Sequence, residues 1–384
     1  MLCSEHPSCP PHSFVCKYDY TIVLPSLSSH PCPAHSEHVE DDDEVLLVMA
    51  EQLGDCVGVL GSPDAVELVE VLGLLATTEE TVVREAAVKS INRVVDVLPA
   101  DVVASKVVGV VERLTKGDWF TARVSACGLF AATYQQLGAE KAAERAHLRK
   151  LFAALCNDDT PMVRRAASKS VGALVRATEA SIAEAELIPL FNTLAGDDQD
   201  SVRLLAIENC AAFAEVLSQA KNKELILPLA AACAEDKSWR VRNNVAKDFH
   251  KLATAIGRES TLSKLVAAFV RLLQDPEAEV RASAAKNAHE FCDVIGPEAF
   301  VEHIVPCLSD LSADVAQSVR VCLAGSLVGA IQKLSEEDAT RHLLPLVLHF
   351  FRPDEAAQVR VKVLSSLDVV AQAVGRDTLQ KSVL

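Results

Sequence analysis

The chain has 384 residues, half of them apolar and only 4% aromatic, with a formal net charge of −16 at pH 7. Such a charge excludes attachment to nucleic acid or to an anionic membrane through overall electrostatics, and it favours basic partners. No apolar run reaches the ~18 residues that cross a bilayer, and the N-terminus lacks the charged-then-apolar layout of a secretory signal, so an intracellular, cytoplasmic location is expected, with the nucleus second.

Residues 1–40 differ from everything after them, with six of the 16 prolines, four cysteines, five histidines and no helical period. Cys3, His6, Cys9, His12 and Cys16 could be drawn as zinc ligands, but their spacing matches no established finger and the intervening prolines oppose compact pairing. The composition reads as a disordered or artefactual extension.

From Asp41 a regular register begins. A short apolar residue followed by arginine recurs at Arg84, Arg123, Arg164, Arg203, Arg242, Arg281, Arg320 and Arg360, at intervals of 39 to 41 residues. Self-similarity at this period marks a solenoid of helix pairs, in which no unit buries its own apolar face and neighbours supply the cover. In the Arg203 repeat the pattern predicts helix A over 185–195, a turn over 196–200 and helix B from Ser201 to about Leu217. The apolar positions of helix B are Val202, Ala206, Ile207, Cys210, Phe213, Ala214 and Leu217, the spacing of one buried stripe. Equivalent stripes follow Arg242 and Arg320.

Two further columns accompany the arginines. An aspartate stands six residues earlier at Asp158, Asp197, Asp236, Asp275, Asp314 and Asp354, where it can cap helix B and meet an arginine of its own or the next repeat. Pro189, Pro228, Pro306 and Pro345 precede their arginines by fourteen or fifteen residues and should bend or interrupt helix A. By these marks the expected fold is all-α: a HEAT-repeat α-solenoid, a right-handed superhelix of antiparallel helix pairs. About eight repeats fill residues 41–384. Asp42 to Leu60 reads as a helix B without its helix A, and Leu379 to Leu384 opens a helix A and stops, so truncation at both ends is expected. Cys127, Cys210 and Cys292 occupy core positions and are expected as reduced, buried thiols.

Signatures of common enzymes are missing: no dinucleotide or phosphate-binding glycine loop, no H-E-x-x-H and no G-x-S-x-G. A HEAT-repeat metal hydroxylase would need several His-Glu pairs, and the repeats hold one, His289-Glu290, so no cofactor and no enzymatic activity are expected. What remains is the edge formed by the A-to-B turns. It is acidic, with Glu79, Glu80, Asp118, Asp159, Asp198 and Asp200 among others, and it carries both tryptophans, Trp119 and Trp239. Tryptophan is a frequent interface anchor, and a row of acids steers a basic partner.

The segments DDDEVLLVMAEQLG (41–54), ATTEETVVREAAV (76–88), GDWFTARVSACGLF (117–130), LCNDDTPMVRRAAS (155–168), DDQDSVRLLAIENC (197–210) and AEDKSWRVRNNVA (234–246) closely resemble consecutive repeats of the protein phosphatase 2A scaffold-subunit family. The resemblance covers about 41–384, corresponds to about the second to tenth repeats of that family, and implies a non-enzymatic scaffold. In the family, regulatory B subunits dock on turns of the N-terminal half and the catalytic subunit docks on the last repeats. Carried over by motif, the regulatory-subunit contacts would be Glu79, Glu80, Trp119, Phe120, Asp159, Thr160, Pro161, Asp197, Asp198, Ser238, Trp239 and Arg240. Arg164 and Arg165 would support their turn. The family's catalytic-subunit platform has no counterpart here, so the resemblance implies weak regulatory-subunit binding and none of the catalytic subunit. The alternative reading is a HEAT adaptor for nuclear transport or the cytoskeleton; tubulin readers present basic turns, whereas these are acidic.

Overall fold

An apolar stripe winding along one face of a helix cannot stay in water, and here each stripe is covered by the helices before and after it in the chain. The computed structural model describes residues 43–383 and contains helices and no strand among the described residues. The candidate zinc ligands Cys3, His6, Cys9, His12 and Cys16 lie outside the described residues. Every arginine of the register is the fourth residue of a helix B: Thr81–Val95, Phe120–Cys127, Pro161–Arg176, Asp200–Arg203, Trp239–Ile256, Ala278–Ile295, Gln317–Ile331 and Ala357–Leu364.

The stripes predicted from spacing are the core. After Arg242, Val245, Ala246, Phe249, Leu252, Ala253 and Ile256 are all buried. Phe249 then packs against Phe269 in a tilted arrangement and meets Phe291 edge-to-face, both of the next repeat, with ring centroids 5.3 and 5.6 Å away. Each such ring or branched side chain contributes roughly 1.5–3 kcal/mol on burial, so the largest share of cohesion lies between repeats. Cys127, Cys210 and Cys292 are buried free thiols, as their register implied. Burial pushes the Cys292 thiol up to about 11.

Helix boundaries depart from expectation in two ways. Helix B of the Arg203 repeat is two pieces, Asp200–Arg203 and Ala206–Val216, rather than one. Its helix A begins at Ala180 instead of Ala185 and contains a π-helical turn, Ala183–Leu187, before the α-helix Ile188–Ala195. Comparable π turns stand at Val103–Val107, Asn222–Ile226, Thr261–Leu265 and Ala339–Leu343. Pro189, Pro228 and Pro345 follow such a turn at once, where a missing amide leaves no α-helical bond unmade. The turn also forms before Val108 and Val266, where the sequence has no proline. The bend therefore belongs to the repeat, and proline is tolerated by it rather than its sole cause. Helix B packs on its successor more extensively than helix A does on its own, so the layer of B helices carries most of the contact between repeats.

The turns are held in line by one repeated contact. From Arg123 to Arg320 the guanidinium of each arginine of the register reaches forward to a carboxylate of the next repeat's turn. Nε donates to Oδ2 at 2.6 Å for Arg164–Asp197, 2.8 Å for Arg203–Asp236, and 2.6 Å for both Arg242–Asp275 and Arg281–Asp314. Its remaining nitrogen donates backward, as Arg203 Nη1 does to the carbonyl of Asp197 at 2.7 Å. The same Asp197 accepts the amide of Gln199 on Oδ1 at 2.9 Å, closing the turn. Arg123 joins the ladder through Asp158. Arg84 bonds only to its own turn, at Thr78, Glu79 and Thr81, because Gly117 occupies the aspartate register of the following repeat.

The last rung corrects the sequence reading. Arg320 is met by Glu355, Nη2 to Oε1 at 2.9 Å, and not by Asp354, which is exposed. One extra residue in that interval turns Asp354 outward, and the longer glutamate spans the difference.

Burial opposes ionisation of these carboxyls, but the arginine fork and the turn amide outweigh it and hold Asp158, Asp197, Asp236 and Asp314 below the usual aspartate range. A depressed folded-state pKa gives stability that is complete above the unfolded value and is lost as pH falls through the folded one. Urea midpoints should hold level from pH 7 to about pH 5 and fall below about pH 4; a midpoint that rises on acidification would contradict the ladder. Replacing Asp236 by alanine strands a mostly buried guanidinium and should cost about 3 kcal/mol at pH 7. The exposed Asp354→Ala should change stability by less than ~0.5 kcal/mol in the same denaturation series.

Candidate partner-binding ridge

Helix B begins the same way in successive repeats, and that beginning frees one side chain. Its first amides are normally closed by a Ser, Thr, Asp or Asn at the N-cap. Here Asp158, Asp197, Asp236, Asp275 and Asp314 do part of that work from two residues upstream, bonding the backbone amides of Thr160, Gln199, Ser238, Glu277 and Ala316. No N-cap side chain of helix B bonds its own helix. The side chain there is therefore not committed to capping its helix.

Trp119 occupies that position ahead of Phe120–Cys127, with extended backbone and 78% exposure. An indole at an N-cap adds nothing to the helix and loses the cover of apolar surface, so the fold does not call for it. Phe120 beside it is 39% exposed. Trp239 is half-buried at 37% and lies in a small cluster bridging two turns. Ser238 donates to Asp200 Oδ2 at 2.9 Å, Arg240 approaches the same carboxylate at 3.6 Å, and the Arg240 guanidinium stands 5.7 Å from the Trp239 ring centre.

Among the acids, position decides availability. Glu79, Asp159 and Asp198 are exposed and Glu80 is partly so; their carboxylates enter no ion pair among the described residues. Asp197 differs from them: its side chain is 6% exposed and gripped by Arg164. Expected as a partner contact, it is a rung of the ladder instead. Thr160 keeps its hydroxyl toward Arg123 at 3.3 Å, and Pro161 is exposed as the first residue of its helix. Arg164 supports the turn through Asp158, Asp159 and Asp197; Arg165 points into solvent.

Sequence reasoning missed Val82 and Met162, both exposed on this edge. Each stands two residues before its arginine, where other repeats carry Thr, Ser, Arg, Glu or Gln. An apolar residue off the buried stripe was the available signal. With them, the turns of three successive repeats present Val82, Trp119, Phe120 and Met162 beside unpaired carboxylates, a surface that can anchor apolar groups and attract cations but holds no reacting centre. His289 and Glu290 do not form a metal site: His289 lies against Lys286 and Ser326, Glu290 pairs with His250, and no cluster of three metal-ligating side chains occurs among the described residues.

Comparison with known proteins agrees with this architecture. The family model described as PIK3R4-like, middle domain, matches residues 75–292, and that described as PPP2R1A-like HEAT repeat matches residues 258–335. The serine/threonine-protein phosphatase PP2A 65 kDa regulatory subunit of Drosophila melanogaster is 45% identical over 148 residues, 38% of this chain and 24% of the relative. The protein phosphatase 2A scaffold subunit of Dictyostelium discoideum is 42% identical over 142 residues, 37% and 24% of the two chains. The matched stretch thus spans about a quarter of these relatives, which are named as regulatory or scaffold subunits rather than catalytic ones. The solved structure of the karyopherin Kap121p, bound to the extreme C-terminus of the protein phosphatase Cdc14p, superposes with a TM-score of 0.65 at 13% identity, covering 89% of this chain and 37% of that one. At that identity the likeness is one of fold.

The two indoles differ enough in exposure to be told apart in solution. Trp119→Phe should remove most of the red-shifted, acrylamide-quenchable emission, while Trp239→Phe should leave a spectrum dominated by it. Equal quenching of the two variants would mean that the Trp119 ring folds back on its repeat.

Proposed function

Because the chain belongs to the family described as PIK3R4-like, middle domain, whose model matches more than half its length, and is homologous to phosphatase 2A scaffold subunits, we propose that it is a non-catalytic scaffold of a phosphatase 2A complex in the cytoplasm. Regulatory B-type subunits dock on the ridge of A-to-B turns. The observation that carries this reading is the Trp119 indole, 78% exposed at a helix start that does not need it, with Phe120 partly exposed beside it and free carboxylates alongside. Met162, Val82 and Trp239 extend the apolar contact, and Glu79, Glu80, Asp159 and Asp198 attract basic groups at its rim. Asp197 is left out because its carboxylate belongs to Arg164.

A recombinant regulatory B-type subunit should bind the immobilised chain, with affinity falling as salt rises. Trp119→Ala with Phe120→Ala should weaken binding at least about thirtyfold, the effect of a central anchor worth about 2 kcal/mol. Wild-type affinity in the double variant, with an unchanged melting curve, would remove the ridge as the docking surface.

A further inference from the structure

The layer of B helices carries a different surface from the ridge. Where the helices of the Arg84, Arg123 and Arg164 repeats lie side by side, they leave a groove of about 490 Å³. Its floor is apolar or small, with Val88, Val124, Gly128, Ala131 and Ala173. The opening traces to one register position. Five residues after the arginine the outer helices carry Lys89 and Lys169, whereas the middle helix carries Gly128. A Cβ on Gly128 would come 2.7 Å from Val88, so a larger residue there would push the helices apart. The middle helix is interrupted at this glycine, whose carbonyl accepts the Asn92 side-chain amide at 3.0 Å.

The charges along the rim are left open. Lys89 and Lys169 are exposed and make no ion pair among the described residues. Several other cations of the same layer are paired, Arg93 with Asp55, Arg176 with Glu215, Lys251 with Asp248 and Lys333 with Asp293, whereas Lys247 and Lys286 make no ion pair among the described residues but line no such groove. Among the described residues Glu85 is the one carboxylate lining the groove, so the two unpaired lysines outnumber it and make a locally basic patch, in a chain of net charge −16, that is complementary to an anionic occupant. The groove has no aromatic ring among the described residues on which a base could stack, which leaves an acidic peptide rather than a nucleic acid as the anion it fits.

We propose that this groove binds an acidic, extended segment of a partner protein, with carboxylates on Lys89 and Lys169 and small side chains on the floor between them. It is a second docking surface, independent of the ridge and able to be filled while the ridge is occupied.

The test uses the full chain and a fluorescein-labelled peptide alternating glutamate with alanine, followed by fluorescence anisotropy. Saturable binding should weaken at least about tenfold in Lys89→Glu with Lys169→Glu, and equally in Ala173→Trp, which fills the floor without changing charge. Trp119→Ala and the pair Lys247→Glu with Lys286→Glu, on the same layer but outside the groove, should bind within about twofold of wild type. A glutamine–alanine peptide should not bind. Wild-type binding by either groove variant, an equal loss in the Lys247/Lys286 variant, or equal competition by a single-stranded oligonucleotide would each overturn the assignment. Melting curves matching wild type confirm that the variants are folded.

Discussion

The arginine that reaches forward to the next turn's carboxylate governs what the rest of this molecule can do. In each full rung one carboxylate takes two bonds from the preceding repeat's guanidinium and one from its own turn's amide, and its backbone carbonyl receives the arginine of its own repeat. Each turn with a full rung is thereby fixed twice, to the repeat before it and to its own helix. Bidentate geometry sets orientation as well as distance, so neighbouring turns share one alignment instead of pivoting on their apolar cores. Hydrophobic burial supplies the cohesion of the stack, but burial is non-directional and would accept a range of inter-repeat rotations.

That arrangement separates the residues that build from those that are free to recognise. Where a ladder carboxylate closes the start of helix B from upstream, the N-cap is held by residues as unlike as Thr160 and Ser238, and in the two turns without that aspartate it is held by Glu80 and Trp119. Recognition is written in side chains that contribute little to stability, on a backbone that is the same from repeat to repeat. The layer of B helices is read by a different rule. There the spacing between neighbouring helices matters, and Gly128 between Lys89 and Lys169 leaves a channel where a longer side chain would close it. The two surfaces differ in sign as well as in shape, with free carboxylates on the turns and free ammonium groups beside the groove.

The bend of the array has a similarly local origin. A π-helical turn recurs in helix A with or without proline, and it widens the helix just where it crosses its partner. Proline fits after such a turn because one amide there has no helical acceptor to lose.

Periodicity alone determined the helix pairs, their number and the buried stripes, because a residue's place on a helix face depends only on its neighbours within a few positions in sequence. Val245, Phe249 and Ile256 are buried for that reason and needed no coordinates to be found. The acidic, tryptophan-bearing edge was equally legible, since turns between such helices lie outside. Three matters were settled only by tertiary structure. Asp197 and Asp198 are adjacent and chemically identical, yet one is locked to Arg164 and the other is free, and the path of the turn decides which. Glu355 replaces Asp354 because an added residue rotates the turn and side-chain length then matters. The groove between Lys89 and Lys169 spans three repeats, a distance over which no local pattern in the chain can report how closely helices approach.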